Sequence, residues 1–226
     1  MEINNSVDLV KRRISIAASK CGCNLSDIKL VAVSKTVNID IVRQVHKLGV
    51  NDFGENRVQE LNHKYDQLPQ VKWHFIGRLQ TNKAKDVVGK VALIHSLDRW
   101  NLAEELDKRG QYLGIEVPCL LQVNVAGETQ KAGVDPYEVK DFLKSIAQLK
   151  SVRIYGLMTM APLVSNSEDA RPIFRQLAVI KATMSKFRYP NVDLRYLSMG
   201  MSQDYEVAIE EGANIVRIGS AIFHSD

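Results

Sequence analysis

Apolar residues in this chain follow two rhythms that alternate from end to end. Short apolar runs, such as Leu30-Val-Ala-Val33, suit buried strands. Between them, apolar residues recur at helical spacing, as in Ile3, Val7, Val10, Ile14 and Ala17. This patterning predicts strands at 29–35, 50–53, 71–76, 91–95, 117–125, 153–157, 193–197 and 214–218. It predicts helices at 6–21, 39–48, 55–65, 81–88, 99–109, 136–149, 168–187 and 203–211. Asp135 is the expected N-cap of the 136–149 helix, with Pro136 in its first position. Ser202 is the expected N-cap of the 203–211 helix, and Gly212 closes that helix as a C-cap. Eight strands separated by helices imply parallel pairing through helical crossovers. Within 226 residues, eight such units favour a closed barrel over an open doubly wound sheet. The expected fold is α/β: a single (β/α)8 TIM barrel, somewhat compact for its class, with an extra N-terminal helix. No composition shift or linker divides the chain, so residues 1–226 are expected to form one domain. The most linker-like piece, 161–167, only joins a strand to a helix.

In such a barrel the chemistry sits at the carboxyl ends of the strands. The first strand ends on Lys35. Burying an unpaired ammonium is costly, so two readings stand: a lysine that turns out into water, or a partly desolvated amine able to form a Schiff base with an aldehyde cofactor. The other strand ends are also rich in small and polar residues. They include Gly54-Glu-Asn-Arg57, His74-Phe-Ile-Gly77, His95-Ser96 and Gly156-Leu-Met-Thr-Met160. The last two strands end in Ser198-Met-Gly-Met-Ser202 and Arg217-Ile-Gly-Ser220. Barrels often bind phosphate after these two strands. Ser202, Gly219 and Ser220 together resemble a cup for a phosphate monoester, although capping and a tight turn explain either loop alone. Arg217 is either a rim ion pair or the partner of a pyridine nitrogen. In the second role its permanent charge keeps that nitrogen unprotonated and the ring a poor electron sink. His74 and His95 are candidate general acids or hydrogen-bonded structural residues.

Composition narrows the classes. The chain is 45% hydrophobic and 25% charged, as for an ordinary globular protein, with a net charge of +4 and a pI near 8.9. Arg78, Lys83, Lys85 and Lys90 form the densest basic stretch, which reads as a solvated helix face rather than a nucleic-acid surface. Cys21, Cys23 and Cys119 lack the spacing of a zinc site and are expected to be free thiols in a reducing cytosol. No signal-peptide pattern and no apolar run of membrane-spanning length is present, so a cytoplasmic location is expected. Neither a metal-binding H-E-x-x-H nor a nucleotide-binding glycine loop appears.

Lys35 after its apolar strand is followed by Phe53-Gly-Glu-Asn-Arg-Val-Gln-Glu60, Trp73-His-Phe-Ile-Gly-Arg-Leu-Gln-Thr-Asn-Lys83, Gly156-Leu-Met-Thr-Met160, Ser198-Met-Gly-Met-Ser202 and Val216-Arg-Ile-Gly-Ser220. Together these resemble the pyridoxal phosphate homeostasis protein family, also called proline synthetase co-transcribed homologues, from about Lys29 to Phe223. The resemblance implies a barrel like the N-terminal domain of alanine racemase. It implies pyridoxal 5′-phosphate (PLP) held as an aldimine by Lys35, Arg217 beside the ring nitrogen, and Ser202, Gly219 and Ser220 at the phosphate. Asn56, His74, Ser198, Met199 and Met201 match family positions lining the site. Two departures are small: Ser220 stands where threonine is common, and His224 where glycine is usual.

The implied function is PLP buffering or delivery, with an influence on amino-acid and keto-acid balance and no catalytic residue assigned. A weak amino-acid racemase or related aldimine enzyme is the alternative. A racemase domain with a second base is not expected in the few residues after Ser220, and two-base chemistry needs groups on both substrate faces. Expected partners are PLP and apo-enzymes that use it, with no nucleic acid, no membrane and a monomeric state.

Overall fold

The computed structural model describes residues 3–128, 132–162 and 164–223. Its eight strands are β1 (Lys29–Val33), β2 (Asp52–Glu55), β3 (Lys72–Phe75), β4 (Leu93–Leu97), β5 (Val117–Gln122), β6 (Val152–Met158), β7 (Val192–Ser198) and β8 (Ile215–Ile218). They pair in sequence order, all parallel, and β8 closes on β1. The helices are α1 (Ile3–Cys21), α2 (Ile39–Lys47), α3 (Val58–Gln67), α4 (Trp100–Leu113), α5 (Val139–Ile146), α6 (Arg171–Met184), α7 (Tyr205–Glu210) and α8 (Ser220–Phe223). This is the expected TIM barrel, with α1 added at the N-terminus. α1 buries Val7, Val10, Ile14 and Ala17 and packs mainly against α7 and α8. No helix among the described residues is long and apolar enough to cross a membrane.

Local differences from the sequence reading have local causes. The 81–88 segment is a 3-10 turn, Thr81–Asp86, rather than an α-helix. The 136–149 helix begins only at Val139, because residues 136–138 form a turn whose Tyr137 N–H bonds to the Asp135 carboxylate at 2.8 Å. Asp135 therefore caps that turn and not α5. The 168–187 helix is divided into a 3-10 turn, Ser167–Ala170, and α6, which carries Pro172 in its first turn. Proline is tolerated there because its missing N–H would have had no intrahelical partner. The last interstrand helix starts at Tyr205 with Asp204, not Ser202, at its N-cap. Gly212 does end it, at φ +95°, with the Ala213 N–H returning to the Ala208 carbonyl at 2.9 Å. Cys21 and Cys23 are paired as a disulfide and Cys119 is free and buried, so the expectation of three free thiols holds only for Cys119. His224 and Leu163 lie outside the described residues.

Alternation along the strands divides the interior in two. Outward-facing side chains such as Phe53, Trp73, Phe75, Ile94, Leu157 and Val216 join the helices in one large apolar layer. Inside the barrel a smaller plug forms from Val31, Leu93, Leu120, Met158 and Ile215. Other inward positions, Asp52, His74, His95, Ser198 and Arg217, are polar and lead to the carboxyl-end mouth.

Candidate functional site

A cavity of about 670 Å³ opens at the carboxyl ends of the strands, and Lys35, Asn56, Met201, Arg217, Gly219 and Ser220 are among its lining residues. Lys35 follows directly after β1 and Ser34. Its side chain is exposed at the mouth, and its amine has no hydrogen-bond or ion-pair partner among the described residues. Both readings of this lysine thus share a position: it leaves the strand toward water and at the same time lines the cavity. The next residue, Thr36, has φ +63° and is the only non-glycine with positive φ among the described residues. A β-branched side chain is strained there, so surrounding structure must hold this turn.

That support is a buried cluster behind Lys35. The Lys64 ammonium donates to the Ser34 carbonyl and to Glu55 Oε1, both at 2.7 Å. The Ser34 hydroxyl donates to the same carboxylate oxygen at 2.6 Å. Lys64 and Glu55 are both fully withdrawn from solvent. The clamp therefore fixes the peptide that launches Lys35. Glu55 stood out in the sequence as part of a polar strand end, but Lys64 did not. It sits in helical spacing on α3, where a lysine normally reads as solvent-facing.

Beside β1, the loops after β7 and β8 meet. The Ser202 hydroxyl accepts from the Gly219 N–H at 3.2 Å and from the Ala221 N–H at 3.3 Å. Ser202 thus joins the two loops instead of capping α7. Asp204 takes the capping position, and its carboxylate accepts from the Met201 N–H at 2.6 Å. Burial pushes the Asp204 carboxyl above its ordinary pKa, with that amide bond and Arg217 pulling the other way. The β7 loop turns at Gly200, φ +90°, where a Cβ would lie 2.6 Å from the Ala208 Cβ. Only glycine fits both the angle and the contact.

Arg217 is buried at the base of the cavity. It donates to Ser198 Oγ at 2.6 Å and to the Thr159 carbonyl at 2.9 Å. Among the described residues no carboxylate forms an ion pair with it. Burial lowers its pKa to about 10, against the attraction of Asp204, so it stays charged at neutral pH. Ser198 in turn lies 2.9 Å from His95 Nδ1, His95 Nε2 lies 2.9 Å from His74 Nδ1, and His74 Nε2 lies 2.9 Å from Asp52 Oδ1. Burial, reinforced by the neighbouring His74 imidazole and Arg217 guanidinium, holds His95 well below the usual imidazole range. Asp52 is kept below the usual carboxylate range: its partial burial acts upward, but its hydrogen bond with His74 and the charges of Lys29 and Lys72 outweigh it.

Of the ten residues expected at the site, Lys35, Asn56, Met201, Ser202, Arg217, Gly219 and Ser220 line the cavity. The other three do not. His74 and Ser198 are buried beneath it in the hydrogen-bonded series. Met199 faces outward into the layer between barrel and helices, because it alternates with the inward-facing Ser198. Sequence reasoning missed Asp52 and Lys64, and held Thr159 only as part of a polar strand end. The first carries a legible signal, since it begins a strand in step with inward-facing Gly54.

The chemistry of the wall suits a phosphorylated aldehyde. It offers one unpaired amine, amide and hydroxyl donors contributed by two converging loops, and a buried guanidinium that can only donate. Groups of three or more potential metal ligands are absent among the described residues.

Comparisons with known proteins agree over nearly the full length. Residues 6–226 match the family described as alanine racemase, N-terminal domain. A pyridoxal phosphate homeostasis protein of Aquifex aeolicus is 48% identical over 216 residues, covering 95% of this chain and 94% of its own. A crystal structure of an unknown protein from Bifidobacterium adolescentis superposes with a TM-score of 0.94 at 34% identity, covering 98% of this chain and 94% of its own. The structure of PipY from Synechococcus elongatus with PLP bound superposes with a TM-score of 0.82 at 36% identity, covering 95% and 99%.

Proposed function

The chain belongs to the alanine racemase N-terminal domain family and, within it, to the pyridoxal phosphate homeostasis proteins, and we propose that it binds PLP through Lys35 and buffers or delivers that cofactor in the cell. The observation that carries this reading is the joint lining of one cavity by the unpaired Lys35 amine, Arg217 and the Ser202–Gly219–Ser220 cluster. When bound, the cofactor supplies an aldehyde that condenses reversibly with a primary amine, and a phosphate that needs hydrogen-bond donors.

Each residue then has a task. Lys35 presents its amine from a backbone held by the Lys64–Glu55 clamp. Ser202, Gly219 and Ser220 would hold the phosphate. The Gly219 and Ala221 amides donate to the Ser202 hydroxyl and would serve the phosphate on leaving it. Arg217 would hold the ring-nitrogen end of a bound cofactor and supply a donor there. Asn56 and Met201 complete the wall, while Ser198 and His74 act from beneath and Met199 packs between the barrel and its helices. A cation beside the ring nitrogen opposes its protonation, which favours holding the cofactor over drawing electrons through it. The exposure of Lys35 suits exchange with apo-enzymes that require PLP, and through them an influence on amino-acid and keto-acid balance. We place the protein in the cytoplasm as a monomer whose barrel, residues 1–226, works as one domain.

The test is the absorption spectrum of protein mixed with PLP, before and after borohydride, followed by peptide mapping. A visible-range band that borohydride bleaches, with the label on Lys35 and none in Lys35→Ala, is the expected result. Colourless protein, or a label elsewhere, overturns the proposal.

A further inference from the structure

Inside the barrel, a single file of polar side chains runs from the amino-terminal end of β2 to the cavity floor: Asp52, His74, His95, Ser198, Arg217. Each neighbouring pair is 2.6–2.9 Å apart. All but Asp52 are almost completely buried. The two ends differ in kind. A guanidinium has only donors and a carboxylate only acceptors.

With both imidazoles neutral, these ends leave one complete assignment. Arg217 donates to Ser198, whose hydroxyl must donate onward to His95 Nδ1. His95 Nε2–H then donates to His74 Nδ1, and His74 Nε2–H donates to Asp52. Reversing the middle links would bring a bare His74 Nε2 against the Asp52 carboxylate, two acceptors with no proton between them.

We propose that Asp52 is a positioning residue: from the far end of the barrel it sets the direction of every bond in this file, and so holds the Ser198 hydroxyl oxygen ready to anchor Arg217. Asp52 touches nothing in the cavity and acts only through its neighbours. The charges around it are Lys29 and Lys72, which keep it ionised, and its hydrogen-bond partner is His74. The effect on cofactor binding rests on the function proposed above; the bond directions do not.

Nitrogen-15 NMR of the imidazoles in cofactor-free protein at pH 8 reads the directions themselves. His74 and His95 are expected to be neutral, each protonated at Nε2. A cationic His74, or a His95 protonated at Nδ1, overturns the inference, and neither result depends on any variant folding. Asp52→Leu removes the terminal acceptor. It is expected to move His95 toward the Nδ1–H form, to shift the absorption band of PLP-loaded protein, and to weaken PLP affinity about ten-fold, the scale of one weakened bond to a charged group. Asp52→Asn keeps an acceptor oxygen and is expected to restore the wild-type tautomers and affinity. Wild-type tautomers and spectrum in Asp52→Leu would overturn the coupling. Failure of the wild-type protein to take up PLP would instead overturn the proposed function and leave the tautomer result standing.

Discussion

The two faces of the barrel wall are built from the same strands, yet they solve opposite problems. Phe53, Trp73 and Phe75 point outward into the helices and make an apolar layer whose members need only fill space. Asp52 and His74 alternate with them, point inward, and need specific partners. In the outer layer an error costs packing. Inside, it leaves a buried polar group unpaired and disturbs the arginine at the cavity floor. One face therefore carries stability and the other carries the site.

The largest expected effect tests that division. Phe53→Ala empties part of the outer layer and should cost about 3–5 kcal/mol of unfolding free energy, measured by urea titration. PLP affinity of the folded fraction should stay at the wild-type value. An affinity loss matching the stability loss would break the contrast. Next in size is Arg217→Met, which exchanges a buried charge for an apolar side chain of similar length. Fold stability should fall less than in Phe53→Ala, whereas PLP affinity measured by absorbance titration should drop about 10- to 100-fold.

The inner face should also respond to acid in a way the outer face cannot. His95 is held neutral by burial, so the unfolded chain gains a proton below about pH 6.5 that the folded chain does not. The stability this contributes is complete above that pH and declines as pH falls toward the folded pKa. The slope is about 1.4 kcal/mol per pH unit for one proton. Asp52, also depressed, adds a similar loss only at more acidic pH. Urea midpoints between pH 5 and 8 should show the decline in wild-type protein and a flatter profile in His95→Gln. The smallest effect concerns the turn at Lys35. Thr36→Gly relieves a strained positive φ and should raise stability by about 1 kcal/mol or less, because glycine also gains entropy when unfolded. A loss of stability there would mean that Thr36 is not strained.

Much of this was open to reading in the chain. Short apolar runs between helically spaced segments placed all eight strands, and the barrel rule then pointed to Lys35, Ser202, Arg217 and Gly219 at their ends. Helix starts were less legible. Asp135 and Ser202 are both good capping residues, but each bonds elsewhere once its loop packs. His74 was legible as a polar residue in an apolar strand, but not its partner. His95 and Ser198 are 103 residues apart in sequence, and nothing local to either announces the other. Lys64 was hidden for the same reason: its role depends on Ser34, 30 residues away.

The sequence by itself determined where the elements lie, that they alternate, and which residues stand at the strand ends, because those properties follow from spacing within a few residues. Only the tertiary structure decided which polar residues meet inside. Closing eight strands into a cylinder lets inward side chains of β4 and β7 meet across the interior. Whether a buried histidine is paired, and in which direction its hydrogen points, depends on that closure and on the charges it places at the two ends.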